Sequence, residues 1–560
     1  MATEPFEIGL VGAGAISAGA YTAGVIDFMV YALDLWYQAK ADGDPVAPQH
    51  DVKLSVFSGA SAGAITAALA AGYLASDQPP MTSVNRADYN NGRNKLYDSW
   101  VDRIDMSSLL EASDLADPEA SVVSVLDSTV LSEIAHTGLE VEPRAQRRPY
   151  VAENFELLLT VTNLRGVPYG FTVDSGWGGI DKYDMSQHAD YVHFQLNETG
   201  PDPAISDRYT LSWKELCDGD HPVTQKLKTA ALASGAFPIG LAPRTLEHTV
   251  NLPGGNGMYS SRKWPVPTPD ADDCVQMECI KADWGNVQPS YNYAFQCVDG
   301  GVMNNEPLEL ARRLLAGKNN YNPRQCDSAN RAVIMIDPFP SESLFDPKYS
   351  EAPDLVTMAK DLFNALKNQA RFKPDELTLA SSTGTCSRFM IAPRREGELY
   401  PIACGSLGGF GGFLSKKFRQ HDYFLGRRNA QRFFREHFVL PAEHPLFGSW
   451  SAEAVHEYEF EDQNGDRVRP IIPMLGEAME ECRLIEWPRY ENAEFGNFLS
   501  QVNCRAGVVI DRMVEQYFRK NLWTTRFIAK KVLGRKKRDL VEYVEKLVSA
   551  DLKKMLLMRD

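Results

Sequence analysis

The pentapeptide Gly59-Ala60-Ser61-Ala62-Gly63 constrains the fold of this chain more than any other segment. It comes just after the apolar run Val52 to Phe57 and opens the small-residue run Ala64 to Ala71. That is G-x-S-x-G between a strand and a helix. A serine in so tight a turn is forced into a strained backbone, and its hydroxyl projects from the sheet edge. The flanking glycines, Gly59 and Gly63, remove side chains that would clash there. The helix beyond aims its N-terminus, with its free N–H groups, at the serine. A parallel α/β protein with Ser61 as nucleophile is therefore expected. The competing reading is a Gly/Ala-rich βα turn without chemistry.

The pattern around the turn extends this reading. Phe6 to Val11 reads as a first strand, followed by a Gly/Ala loop and a helix from Ala20 to Ala39. Leu54 to Phe57 is the second strand, and the helix after Ser61 runs to Leu74. Further strands are expected at Phe155 to Thr162, Tyr293 to Val298 and Ala332 to Asp337. The polar stretches Asp174 to Asp207 and Pro253 to Pro289 read as insertions rather than sheet. Beyond Pro338 strand signals fade. Asp354 to Ala370 has helical periodicity, and Gly405 to Phe413 is a glycine-rich bend leading to a basic helix that ends near His437. Glu461 to Pro473 reads as a surface loop, and helices dominate from Ala493 onward. The expected organisation is a domain over residues 1–345 and a largely helical region over 346–560.

Charge narrows the partners. The 560 residues carry a net −16, unevenly spread: from Glu515 to Asp560 thirteen basic residues oppose six acids, so this tail is +7 and the remainder −23. An acidic body repels DNA and RNA, which argues against a nucleic-acid role. The basic tail suits either peripheral contact with anionic lipid headgroups or a solvated helical face paired with the acidic body. Ala18 to Trp36 is the most apolar stretch, but it contains Asp27 and Asp34, which are costly in lipid, so a buried helix is expected. The N-terminal residues lack the basic and apolar regions of a secretory signal. Nine scattered cysteines favour reduced thiols and a cytoplasmic location, at the inner face of a membrane if the tail binds lipid. Cys274 and Cys279 are close, but no second Cys/His pair at zinc-like spacing accompanies them.

A serine hydroxyl needs a base. The best second motif is Val298-Asp299-Gly300-Gly301, which puts a carboxylate at the carboxyl end of a strand, where α/β folds build their sites. With these residues the chain resembles the patatin-like phospholipase family, which pairs a G-x-S-x-G serine with an aspartate in D-G-G or D-G-A. Two more segments carry the resemblance: the loop Gly12-Ala13-Gly14-Ala15-Ile16-Ser17, similar to the family's glycine-rich oxyanion loop, and Thr229 to Pro238, similar to its alanine/serine helix. The loop departs from the family pattern, with Ala13 for the middle glycine and Ile16 near the basic position. The resemblance implies a three-layer α/β fold and a Ser61–Asp299 dyad. Amides of Gly12, Ala13, Gly14 and Ala62 would hold the oxyanion, and neither metal nor cofactor would be needed. The implied substrate is a lipid ester, phospholipid foremost. An acyltransferase, a neutral-lipid or small-ester hydrolase, or a membrane-associated scaffold with weak chemistry are the alternatives.

Other residues compete for roles. His421 beside Asp422 is an alternative base, weaker than Asp299. Lys416, Lys417, Arg419, Arg427, Arg428, Arg432 and Arg435 suit either a headgroup contact or internal ion pairs. Asp462, Asn464 and Asp466 lack the rest of a calcium loop.

Overall fold

The computed structural model describes residues 4–559 except 83–91, 118, 175–179, 202–206, 251–256, 260–261, 268–274, 280–281, 286–290, 318–320, 340–357, 359–364, 366–383, 481, 483–484 and 518–522. Helices flank a central, mostly parallel sheet. Strand β1 (Phe6–Gly12) leads to helix α1 (Gly19–Ala41), and β2 (Val52–Gly59) to α2 (Ala62–Ala75). Then come β3 (Val151–Asp174), β4 (Ile180–Asn197), β5 (Tyr209–Ser212), α3 (Pro222–Ser234), β6 (Arg244–Val250) and β7 (Tyr291–Asp299). Helix α4 (Leu308–Ala316) precedes β8 (Arg331–Ile336) and β9 (Arg388–Ile391). Helices α5 (Lys416–Glu436), α6 (Asn492–Tyr517) and α7 (Trp523–Lys554) dominate the remainder.

The sheet order is β9-β8-β1-β2-β3-β4-β5, with β7 joining β3 to β6. Strands β9, β8, β1, β2 and β3 run parallel, whereas β4 and β7 lie antiparallel to β3. Alternation along the strands divides the core into layers. Leu10, Leu54, Phe57, Ile334 and Ile336 point into the main core with α1 and α2. Val11, Val56, Val333 and Met335 point the other way, onto Leu308, Ala311 and Leu315 of α4. Helices thus cover both faces, as the parallel order demands.

Four expectations need correction. The stretch read as an insertion at 174–207 contains β4, which pairs with β3 in register Leu157 to Phe194. The period-2 signal Val192, Phe194, Leu196 marks it, and all three are buried. Sheet pairing also resumes after Pro338, because β9 adds to β8. The supposed surface loop at 461–473 contains the strand Arg467–Pro470, paired with Phe460–Glu461, and it runs into fully buried Ile471 and Ile472. In the Pro253 to Pro289 stretch, Lys263–Pro267 pairs antiparallel with Val275–Cys279. The periodic stretch Asp354 to Ala370 falls outside the described residues apart from isolated positions, and Cys274 falls outside them too.

The thiol expectation is also corrected. Cys326 and Cys386 form a disulfide. An antiparallel bridge between Gln325 and Thr385 brings their Cα atoms to 4.8 Å, within the span of a disulfide. Cys217, Cys297 and Cys404 remain buried free thiols.

Helix α1, with the turn before it, is the one described helix long and apolar enough to cross a membrane, and it is buried inside the protein. It crosses α5 at very close range. A Cβ on Gly24 would lie 1.9 Å from the Tyr423 carbonyl oxygen, and one on Gly426 would lie 2.2 Å from that of Tyr21. Buried Asp27 of α1 pairs with buried Arg427 of α5 and also accepts from Tyr73 Oη and Asn94 Nδ2, both at 2.8 Å.

Candidate active site

Ser61 occupies the turn between β2 and α2 with φ +52° and ψ −124°. Non-glycine residues rarely take this conformation, and it holds the hydroxyl at the top of the sheet. Packing explains why glycines surround it. A Cβ on Gly59 would lie 2.5 Å from backbone atoms of Gly63, one on Gly12 2.8 Å from Gly63 Cα, and one on Gly63 2.1 Å from the Gly12 carbonyl oxygen. Three glycines thus let β1, β2 and α2 meet backbone to backbone.

The motif separated from Ser61 by 238 positions closes onto it. Ser61 Oγ donates to Asp299 Oδ2 at 2.6 Å, and both residues are buried. Asp299 ends β7. Its Oδ1 accepts the Gly301 N–H at 2.7 Å, its N–H donates to the Ala236 carbonyl, and its carbonyl accepts from Thr162 Oγ1 at 2.8 Å. A Cβ on Gly300 would lie 2.2 Å from the Thr160 carbonyl oxygen. The carboxylate is therefore fixed on both oxygens and through its own backbone.

The loop after β1 reaches the same point, because a Cβ on Gly14 would come 3.2 Å from Ser61 Cβ. Its donors differ from expectation. The Ala13 N–H donates to the Ile336 carbonyl at 3.0 Å and the Gly14 N–H to the Asn305 carbonyl at 3.1 Å. Gly12 lies within β1, and its carbonyl accepts from Ala60 N–H. The Ala13 and Gly14 amides are thus committed to holding the loop, which removes them from the expected oxyanion set. Among the described residues no backbone acceptor meets the N–H of Ala15, Ile16 or Ala62. Ile16, at the family's basic position, has φ +51°. It packs toward Gly409, where an added Cβ would sit 3.3 Å from Ile16 Cδ1.

Two residues escape a reading of the sequence. Ser234, the last residue of α3, accepts the Ser61 N–H on its Oγ at 2.9 Å. It lies in the alanine/serine segment that resembles the family, but nothing local marks its partner. Asn305 ties the first loop to the turn after Asp299 through its carbonyl, and its Oδ1 would lie 2.2 Å from a Cβ on Gly14.

The competing residues sit elsewhere. His421 is fully buried on α5, with Nδ1 2.7 Å from Asp422 Oδ1 and its ring edge-on to Trp487. Asp422 accepts the N–H groups of Ala403 and Cys404 at 2.9 and 2.7 Å, so the pair anchors the glycine-rich segment rather than Ser61. The basic cluster is engaged internally. Lys416 pairs with Asp102, Arg427 with Asp27, Arg432 with Glu396 and Arg435 with Glu436, while buried Arg419 donates to the carbonyls of Val101 and Gly412. Lys417 approaches Glu494 at 3.8 Å and Arg428 donates to the Cys482 carbonyl. Asp462 Oδ1 caps a turn by accepting from Asn464 and Asp466 N–H.

A doubly covered parallel sheet with a serine elbow facing a carboxylate defines the class: an α/β protein built like a serine hydrolase. Residues 10–312 match the patatin-like phospholipase family, and the chain belongs to that family. It is also 36% identical over 548 residues to the uncharacterized protein y4iI of Sinorhizobium fredii (strain NBRC 101917 / NGR234), a match covering 91% of this chain and 76% of that protein. Family membership implies a hydrolase.

Proposed function

We propose that this chain is a serine acyl hydrolase that cleaves ester bonds of lipids, phospholipids foremost, through a Ser61–Asp299 dyad. The observation that carries this reading is the 2.6 Å hydrogen bond from Ser61 Oγ to Asp299 Oδ2 at a strained elbow. Asp299 takes the hydroxyl proton as Ser61 Oγ attacks the ester carbonyl. Charge develops on the carbonyl oxygen, and the uncommitted amides of Ala15 and Ala62 are the donors proposed to meet it. The C–O bond to the leaving alcohol then breaks, and the alcohol takes the proton from Asp299. Water, deprotonated by the same carboxylate, attacks the acyl carbon, the bond to Ser61 Oγ breaks, and Oγ takes the proton back from Asp299 as the acid leaves. A fluorophosphonate probe is expected to label wild type at Ser61 and not Ser61→Ala, and Ser61→Ala is expected to abolish turnover of a soluble short-chain ester. Labelling at another serine would overturn the nucleophile assignment.

A further inference from the structure

Three apolar side chains on two loops stand out into solvent, one of them three residues beyond the Ala236 carbonyl that binds Asp299. Ile239 is 80% exposed, Val123 59% and Val125 47%. The loops form one surface, because Val125 N–H donates to the Ile239 carbonyl at 2.9 Å and Leu126 N–H to that of Gly240 at 3.0 Å. Ile239 has φ +69°. That is an outlier for a β-branched residue, and such strain persists only where the surroundings enforce it. The loop of Val123 and Val125 is held by Arg505 of α6. This buried guanidinium donates to the carbonyls of Val125 and Glu111, both at 2.8 Å, and to the carboxylate of Asp114. Gln516 of the same helix accepts the Val122 N–H at 3.2 Å.

The Ile239 loop is tied to the site along the chain. Three residues before Ile239, the Ala236 carbonyl receives the Asp299 N–H. Phe237 meets Phe410 edge-on at 5.3 Å, and the neighbouring Gly409 carbonyl is held by Ser17 of the loop beside Ser61. Apolar surface held out in water at a preorganised position marks an interaction face. Even with the +7 tail beside this patch the chain carries a net −16, which opposes an electrostatic approach to an anionic bilayer, and apolar insertion is the force that fits.

We propose that Val123, Val125 and Ile239 form a rim that seats on a zwitterionic lipid surface and presents the ester to Ser61. This rests on the acyl-hydrolase reading. The test compares the wild-type chain with Val123→Ser/Val125→Ser/Ile239→Ser and with Ile239→Gly, which relieves the positive φ and so carries no strain against folding. Sedimentation with phosphatidylcholine vesicles at low and high salt, turnover of a soluble short-chain ester, and oligomeric state by light scattering are measured. The triple variant is expected to lose about tenfold or more in vesicle partitioning and Ile239→Gly a smaller part, at both salt concentrations, with soluble-ester turnover unchanged. Wild-type partitioning that is absent, vanishes at high salt, or survives all substitutions overturns the rim. A wild-type dimer that the triple variant dissolves overturns it in favour of a second copy as occupant. If Ser61→Ala retains ester turnover while the rim variants lose vesicle binding, the hydrolase reading fails and the lipid contact stands. If only the vesicle result fails, the rim falls alone.

Discussion

At the scale of single residues, the site is organised by which hydrogen-bonding groups are already spoken for. Asp299 accepts from Ser61 on one oxygen and from Gly301 N–H on the other, so its geometry is set before substrate arrives. Asparagine would keep the shape but could not take the proton. Asp299→Asn is therefore expected to cost nearly as much as Ser61→Ala in soluble-ester turnover, and the double variant little more than either single, as groups acting as one unit do. Near wild-type turnover in Asp299→Asn alongside a dead His421→Ala would transfer the base to His421. Ser234 acts one step back. It supplies the acceptor for the Ser61 N–H and so satisfies a buried donor that the elbow turns away from ordinary helix pairing. The carbonyls of Ile336 and Asn305 perform a similar service for the Ala13 and Gly14 amides of the first loop, and Ile16 puts no cation there.

Among the elements, the crossing of α1 and α5 joins the N-terminal layers to the region beyond residue 345. Gly24 and Gly426 allow the approach, and Asp27 and Arg427 specify it. A charge pair this deeply buried tolerates the loss of one partner poorly, because the other is left desolvated and unmatched. Asp27→Ala is expected to destabilise the fold by about 3–5 kcal/mol in chemical denaturation. Asp27→Leu combined with Arg427→Met is expected to recover much of that loss, since it removes both charges and keeps volume. Equal stability of Asp27→Ala and wild type would mean that Tyr73, Asn94 and Arg427 find other partners. The same pair explains why an apolar helix with an acid at its centre belongs inside a protein.

In the whole molecule, the C-terminal helices brace the site. Asp551 of α7 accepts the Leu407 N–H at 2.6 Å, and Leu407 holds φ +55° two residues before the Gly409 carbonyl that binds Ser17. Trp487 Nε1 donates to the Met555 carbonyl and Tyr490 N–H to that of Leu557. From charge alone the basic tail reads as a membrane contact or a solvated face, and this docking gives it a structural part near the site as well. Asp551→Ala is expected to lower soluble-ester turnover by roughly 10- to 100-fold with an unchanged circular dichroism spectrum, because the wall behind the Ser17 loop loses its anchor. Unchanged turnover would confine the tail to other work. Acid sensitivity is expected of the assembled molecule as well. His50 is buried between Trp450, whose Nε1 donates to its Nδ1, and the Ile471 carbonyl at its Nε2. Burial lowers its pKa to about 3, and His248 is lowered to about 4 for the same reason. An unfolded histidine titrates near 6.5, so below that pH the unfolded chain takes up a proton that folded His50 refuses. Stability should fall as pH drops from about 6.5 toward 3, by up to about 1.4 kcal/mol per pH unit for this group. Melting curves between pH 7.5 and 5 should show a shallower decline for His50→Gln, and parallel curves would exclude His50 as a contributor.

The sequence alone determined what depends on neighbours in the chain. Strand, tight turn and helix around Ser61 follow from local periodicity and glycine placement, and so does the position of Asp299 at the end of its strand. The buried character of α1 follows from its length and its two acids. Tertiary structure decided everything that depends on a distant partner. It chose Asp299 over His421 as the group facing Ser61, since only chain folding brings residues 238 positions apart to hydrogen-bond distance. It committed the Ala13 and Gly14 amides to Ile336 and Asn305, joined Cys326 to Cys386, and drew β4 into the sheet through its pairing with β3. A donor's chemistry is written in its residue, but its availability is set by whichever acceptor the packed chain delivers to it.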